Sequence, residues 1–318
     1  MGSFTRARVF VLAGLGVVAG WHGASQCSPP ARPVLVAPAR CEDGWCRIPA
    51  GSDIVGSPED EHGRAVGIEP ATPVVLTHDF WMMQFEVVHA DVAGQGFPVR
   101  RIVGVDCDEC ADVSLTYWEA LRFANSVSSA NGWDACYDIA DCTATRCAVR
   151  SRFANLYDCR GARLPTEVEW EHAARAGTHG ALHAGDVSRQ SDSDCHPDPI
   201  ADRVGWYCAN ADGRLHPPGQ KAPNAWGLYD TSGNAAEWVG EGLDGTWYRR
   251  MPRIDPWALP TDATDLAVTR GGSIATTAAG LRSAARSGLP PWSPSGFRLV
   301  RTIFPDDAEK PRLARVSP

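Results

Sequence analysis

Apolar residues take up helical spacing in two segments of this chain and otherwise fall in short alternating runs. Leu115, Trp118, Leu121, Ala124 and Val127 recur three or four positions apart, with Ser114 placed to cap a helix and Asn131-Gly132 to end it. The second helix is predicted over Glu167 to Ala176. Thr166 and Glu169 have the spacing of a capping box, Gly177 provides a stop, and Trp170, Ala173 and Ala174 share one side. Arg47 to Val55, Val74 to Phe80 and Met82 to Val88 have strand content, with Glu86 the lone acid of the third run. Between these elements lie loops rich in Gly, Trp, Asp and Arg. Loops that long inside one domain need pins, and the composition offers disulfides or a metal. The elements predict an α+β chain with little regular secondary structure and no internal repeat.

The full sequence has 318 residues, of which 44% are hydrophobic and 21% charged, the balance of a water-soluble domain. The first 26 residues have a basic start at Arg6 and Arg8 and an apolar run from Val9 to Trp21, followed by small residues. This reads as an export signal, too short to span a membrane. Removing its two arginines takes the net charge from −8 to −10, which disfavours nucleic acid as a partner. Of 11 cysteines, one is left over from an even disulfide count. Cys27, preceded by Ala24-Ser25-Gln26, is the candidate lipidation site, and ten remain for five bridges. The alternative is plain secretion with Cys27 unmodified. A Pro-rich tether over 27–40 would hold the domain roughly 40 Å from such an anchor. The domain is expected over 41–304, followed by a polar tail over 305–318. Location is therefore expected to be exported, periplasmic or on the outer surface of a bacterium.

Several blocks lie in order along the domain: CRIPAGSDIVGS from Cys46, HDFWMMQFEVVHADV from His78, VSLTYWEALRFANSV from Val113 and RLPTEVEWEHAARAG from Arg163. They continue with PNAWGLYDTSGNAAEWV from Pro223, RGGS from Arg270 and GFRLVRT from Gly296. Together they resemble the formylglycine-generating enzyme family, also called sulfatase-modifying factors. The resemblance implies a fold related to the C-type lectin fold. It also places GFRLVRT beside the apolar strands near Trp81 in one small sheet, with Trp170, Trp226 and Trp238 in the core.

The family's known sites map onto this chain unevenly. A structural calcium is implied at Asp230, Gly233, Ala235 and Glu237, where carboxylates and carbonyls offer the hard oxygens that Ca²⁺ takes. The plain reading is a turn with solvated acids. A second calcium site would begin at Asn210, but its later ligands do not align. The family's copper needs two soft thiolates after RGGS. Counting from Ser273, those positions hold Thr276 and Leu281, the neighbouring histidine is Thr277, and the tryptophan beside the metal-binding glutamate is Ala236. All cysteines lie at or before Cys208, so copper is not expected. Ser273 and Arg270 remain.

Other constellations have bland readings. Cys107 and Cys110 form a CxxC, redox-active or a loop bridge. Cys136, Cys142, Cys147 and Cys159 offer a zinc tetrad or two disulfides. Cys41 with Cys46 and Cys195 with Cys208 would staple local loops, although sequence leaves connectivity open. His179, His183 and Asp186 lie among glycines that disrupt a helical metal motif. The leading expectation is a non-catalytic module for an exported peptide, protein or glycan on the family scaffold. The alternatives are an oxidase, acting on a protein cysteine or by a cysteine-independent route, and a structural lipoprotein.

Overall fold

The computed structural model describes residues 40–100, 107–188, 194–260 and 266–307. The expected leader, Cys27 and nearly all of the tether and tail lie outside the described residues. In chain order the strands are β1 (Cys41–Glu42), β2 (Trp45–Ile48), β3 (Gly51–Val55), β4 (Thr72–Leu76), β5 (Phe80–Met83), β6 (Leu115–Thr116) and β7 (Tyr137–Ala140). Then follow β8 (Ala148–Ser151), β9 (Glu237–Gly242), β10 (Ala267–Arg270), β11 (Ser287–Leu289), β12 (Pro294–Ser295) and β13 (Val300–Thr302). The helices are α1 (His89–Gly94), α2 (Tyr117–Ala130), α3 (Glu167–Arg175), α4 (Ala201–Val204) and α5 (Trp247–Arg250).

One antiparallel sheet has the order β1-β2-β5-β13, with Arg301 opposite Trp81 and Cys46 opposite Met82. The closing block thus pairs with the strand at Trp81, as the sequence predicts. A second sheet, β11-β10-β9, carries the RGGS block at the end of β10. The strand expected over Arg47 to Val55 is two strands instead, broken at Pro49, which has no N–H to continue a ladder. The run from Met82 to Val88 leaves the sheet after Met83. Beyond it the backbone bonds to loops, Gln84 N–H to Gly44 and Val87 N–H to Phe297.

Both long helices start on a capping box. In α2 the cap is Thr116 with Glu119, because Ser114 directs its N–H and hydroxyl to Asp112. In α3 Thr166 and Glu169 form the box, and the left-handed terminal residue is Ala176 at φ 47°, one position before Gly177. Each box satisfies two helix-end N–H groups and is worth about 1 kcal/mol.

Helix α3 is not the one-sided helix its sequence suggests. All nine of its residues are buried, including Glu167, Glu169 and Glu171. These acids are held by guanidinium groups: Glu167 by Arg286, Glu169 by Arg163, and Glu171 by Arg175 and Arg270. Around this lattice packs one apolar core with Trp170, Tyr248 and Val268. A second core surrounds α2, with Trp45, Phe123, Trp238 and Phe297. The indole N–H groups of Trp170 and Trp238 reach Glu237 and the Leu115 carbonyl, whereas that of Trp226 is buried without a partner among the described residues.

The ten described cysteines form five disulfides: Cys41–Cys46, Cys107–Cys110, Cys136–Cys159, Cys142–Cys147 and Cys195–Cys208. The zinc-tetrad alternative therefore fails, since its four sulfurs are consumed in two bridges.

Candidate functional site

The RGGS turn is built by two left-handed glycines. Gly271 and Gly272 have φ of 86° and 71°, and a Cβ on Gly272 would stand 2.7 Å from the Gly280 carbonyl oxygen. The same added atom would lie 2.8 Å from Thr276 Oγ1 and 2.9 Å from Leu281 Cδ2. Thr276 and Leu281 therefore converge on one point, as positions that hold a shared ligand must. Their chemistry is different. Thr276 Oγ1 accepts from Ser273 N–H at 3.0 Å and donates to the Ser273 carbonyl at 2.9 Å, which closes the turn. Leu281 is fully buried among Leu182, Val204, Tyr207 and Ala278. Ser273 and Thr277 are half-buried, and Ala236 accepts from Ser295 through its carbonyl. Arg270 faces inward to Glu171 and to the carbonyls of Ser283, Ala284 and Ala285, joining two segments of scaffold.

Beside this filled point a cleft of about 530 Å³ remains, lined by Asp60, Glu61, His62, His179 and Asp186 together with Ala181 and Val187, which also belong to the cluster around Leu281. Glu61 is tied to Arg282, and burial raises its pKa. Asp186 accepts from the Ala181 N–H, and burial with Arg203 nearby pushes His183 down to about 4. Among the described residues no group of three His, Cys, Asp or Glu side chains converges in a metal-holding arrangement.

The implied calcium residues sit in a buried acidic cluster. Gly233 has φ 84°, Asp230 and Asn234 have φ of 54° and 57°, and this left-handed turn brings Asp230 and Glu237 together with Glu86 and Arg298. Glu237 takes a fork from Arg298 at 2.6 and 2.8 Å and the Trp170 indole at 2.8 Å. Glu86 accepts from the Ala235 N–H and the Asn234 amide. Asp230 Oδ2 accepts from Gly219 N–H, whereas Oδ1 is buried with no partner among the described residues. Burial, then the charges of Asp230 and Glu237, raises Glu86 well above the carboxylate range, and burial pushes Asp230 up to about 6. Only Glu237 touches the Arg298 guanidinium, and Lys221 also acts on Asp230, so the three acids outnumber the cations near them. Asp230 Oδ1 is the acid oxygen left to face a cation, because both Glu237 oxygens already accept from Arg298 or Trp170; the Gly233 and Ala235 carbonyls would complete the implied set. Asn210 does not join this set. Its Oδ1 accepts from Tyr207 N–H and its amide donates to Asp202 and the Gly205 carbonyl.

Glu86 and Arg298 were not among the expected site residues. The available signals were an acid inside the apolar run Met82 to Val88 and an arginine inside GFRLVRT.

Comparison with known proteins places these features. The formylglycine-generating enzyme of Streptomyces coelicolor is 36% identical over 152 residues, covering 43% of this chain and 44% of that protein. That of Thermomonospora curvata is 33% identical over 124 residues, covering 36% and 39%. The chain thus matches less than half the length of these relatives. Among solved structures, PvdO from Pseudomonas aeruginosa aligns with a TM-score of 0.64 at 21% identity, covering 84% of this chain and 99% of that one. Treponema denticola variable protein 1 aligns at 0.60 and 23%, covering 81% and 95%. These likenesses establish the shared fold. The sequence profile described as the sulfatase-modifying factor enzyme 1-like domain matches residues 34–303, and the chain belongs to that family.

Proposed function

We propose that this protein is an exported binding module that keeps the family scaffold and a cleft beside the former reaction centre without thiol-dependent oxidation. The observation that carries the reading is the pair Thr276 and Leu281. One is a hydroxyl closed onto its own turn and the other a leucine packed in an apolar cluster. Neither supplies a soft sulfur ligand. The described cysteines are all in disulfides, which removes a thiolate brought from elsewhere in the fold. The adjoining cleft, with Asp60, His62 and His179, has the size and mixed polarity of a ligand site.

The test is incubation of the purified protein with Cu(I), oxygen and a peptide bearing Cys-x-Pro-x-Arg, read by mass spectrometry. The expected result is an unchanged peptide. Conversion of its cysteine to the aldehyde overturns the reading in favour of an oxidase. Calcium in this proposal is structural, held by Asp230, Glu237 and the Gly233 and Ala235 carbonyls, where it supplies charge balance. The export reading includes acylation of Cys27, and absence of fatty acid on that residue in mature protein would leave plain secretion.

A further inference from the structure

We propose that a second cavity, between the β1–β2 turn and the loop at Pro217, receives the basic side chain of an extended peptide. The inference rests on the reading of the chain as a binding module, and its cavity shares no lining residue with the cleft beside Leu281. The cavity encloses about 540 Å³. Met83, Phe85 and Pro217 give it apolar walls, and Asp43, Asp91 and Glu109 line it with carboxylates, with Glu86, whose pKa burial raises, as a fourth acid. Among the described residues no Lys, Arg or His lines it.

Its parts are held in place before any ligand arrives. Phe85 stacks on Tyr229 with ring centroids 5.1 Å apart. Gly219, at φ 85°, presses on the same ring so closely that a Cβ there would meet Phe85 Cε1 at 2.8 Å. The Glu86 carboxylate is oriented by the Ala235 N–H and the Asn234 amide. Glu109 sits inside the loop closed by Cys107–Cys110, and Asp43 forms the left-handed corner between β1 and β2. Rigid walls reduce the ordering cost of binding.

The chemistry selects the occupant. Carboxylates accept hydrogen bonds and carry negative charge, and a proline ring has no N–H to donate. A sugar needs donors as well as acceptors, and an anion meets repulsion from three carboxylates. A lysine or arginine side chain matches on both counts. Its methylene stem covers Met83 and Pro217, and its charge lies among the acids and beside the Phe85 ring. The cavity has more room than one alkyl stem fills, which leaves space for the main chain on either side.

The experiment is titration calorimetry at low salt on the purified protein, with blocked pentapeptides carrying lysine, norleucine or glutamate between alanines, and with 1,5-diaminopentane as the free amine. The lysine peptide is expected to bind about tenfold more tightly than the norleucine peptide. Asp43→Asn and Glu109→Gln, both on exposed residues, are each expected to weaken it about two- to fivefold. Equal binding of the norleucine or glutamate peptide, no heat with the lysine peptide, or unchanged affinity in the double variant overturns the site. Diaminopentane binding as tightly as the lysine peptide overturns the assignment to a peptide. Turnover of the cysteine peptide tests the binding-module reading separately, since it would leave these affinities as measured.

Discussion

Around α3 the helix's three buried glutamates are each held by a guanidinium. Around Glu86 three buried acids gather, and only Glu237 takes a guanidinium, that of Arg298. Both places are desolvated, both lie in the core, and both combine acids with arginine, so burial alone does not distinguish them. Charge parity does. Once buried Glu241, which accepts from the Glu167 N–H, is counted with the three helix glutamates, the α3 lattice sets four acids against Arg163, Arg175, Arg270 and Arg286, which is how a fold with short elements keeps charges in its interior. The Glu86 cluster does not close. Its surplus lies in the count of acids over cations, because a raised pKa and an oxygen with no partner among the described residues occur at Glu241 beside α3 as well as at Asp230. In a fold with low regular secondary structure, balanced buried charge therefore marks scaffold, and unbalanced buried charge marks a place completed by protons or a cation.

The largest expected effect comes from unbalancing the balanced lattice. Glu171 accepts from Arg270, Arg175, Tyr248 and the Gly56 N–H. Glu171→Ala strands two buried guanidinium groups and should cost about 3–5 kcal/mol, measured by urea unfolding. A loss below 1 kcal/mol would show that the lattice tolerates a charge gap and would dissolve the contrast. Next in size is completion of the unbalanced cluster. With calcium at about a hundred times its Kd, stability should rise about 2.7 kcal/mol over chelator-treated protein, read as a shift in Tm. Asp230→Asn should abolish that shift. An unchanged melting temperature in both comparisons removes calcium from the account and leaves protons as the compensation.

The smallest effect is expected where parity is exposed. Arg250 holds the Asp244 carboxyl at about 2, below its ordinary 3.8, through a direct hydrogen bond, but both side chains are solvated. A depressed carboxylate pKa stabilises the fold above the ordinary value, and that contribution fades as pH falls through about 2. Arg250→Ala should therefore lose under about 1 kcal/mol at neutral pH, and less as the medium is acidified. A loss comparable to Glu171→Ala would mean that burial has no part in the difference.

Much of the fold was readable where local chemistry decides the outcome. The Thr166 and Glu169 box fixed the start of α3, and the blocks at Trp81 and Arg301 paired as expected. Reading failed where a longer-range partner decides. Ser114 looks like a cap until Asp112 takes its hydroxyl, and Thr116 then takes the role. The burial of the α3 acids was not readable, because most of their arginine partners, which lie from 4 to 119 positions away in the chain, come from other elements. The site divides in the same way. The loss of sulfur at 276 and 281 is visible in the residue types, whereas the packing of Leu281 against α4 and Ala181 depends on tertiary contacts. Glu86 and Arg298 belong to segments more than two hundred positions apart, and nothing local to either signals the other.

The β1-β2-β5-β13 order has a consequence for how the domain can be joined to other chains. Strand spacing puts its first and last strands about 14 Å apart. A polypeptide that leaves so near to where it arrived can be spliced into a loop of a host protein through short connectors. Equally, its ends can be sealed and new ones opened at an exposed turn. A circular permutant cut at Asp141, the exposed residue between β7 and Cys142, should keep all five disulfides.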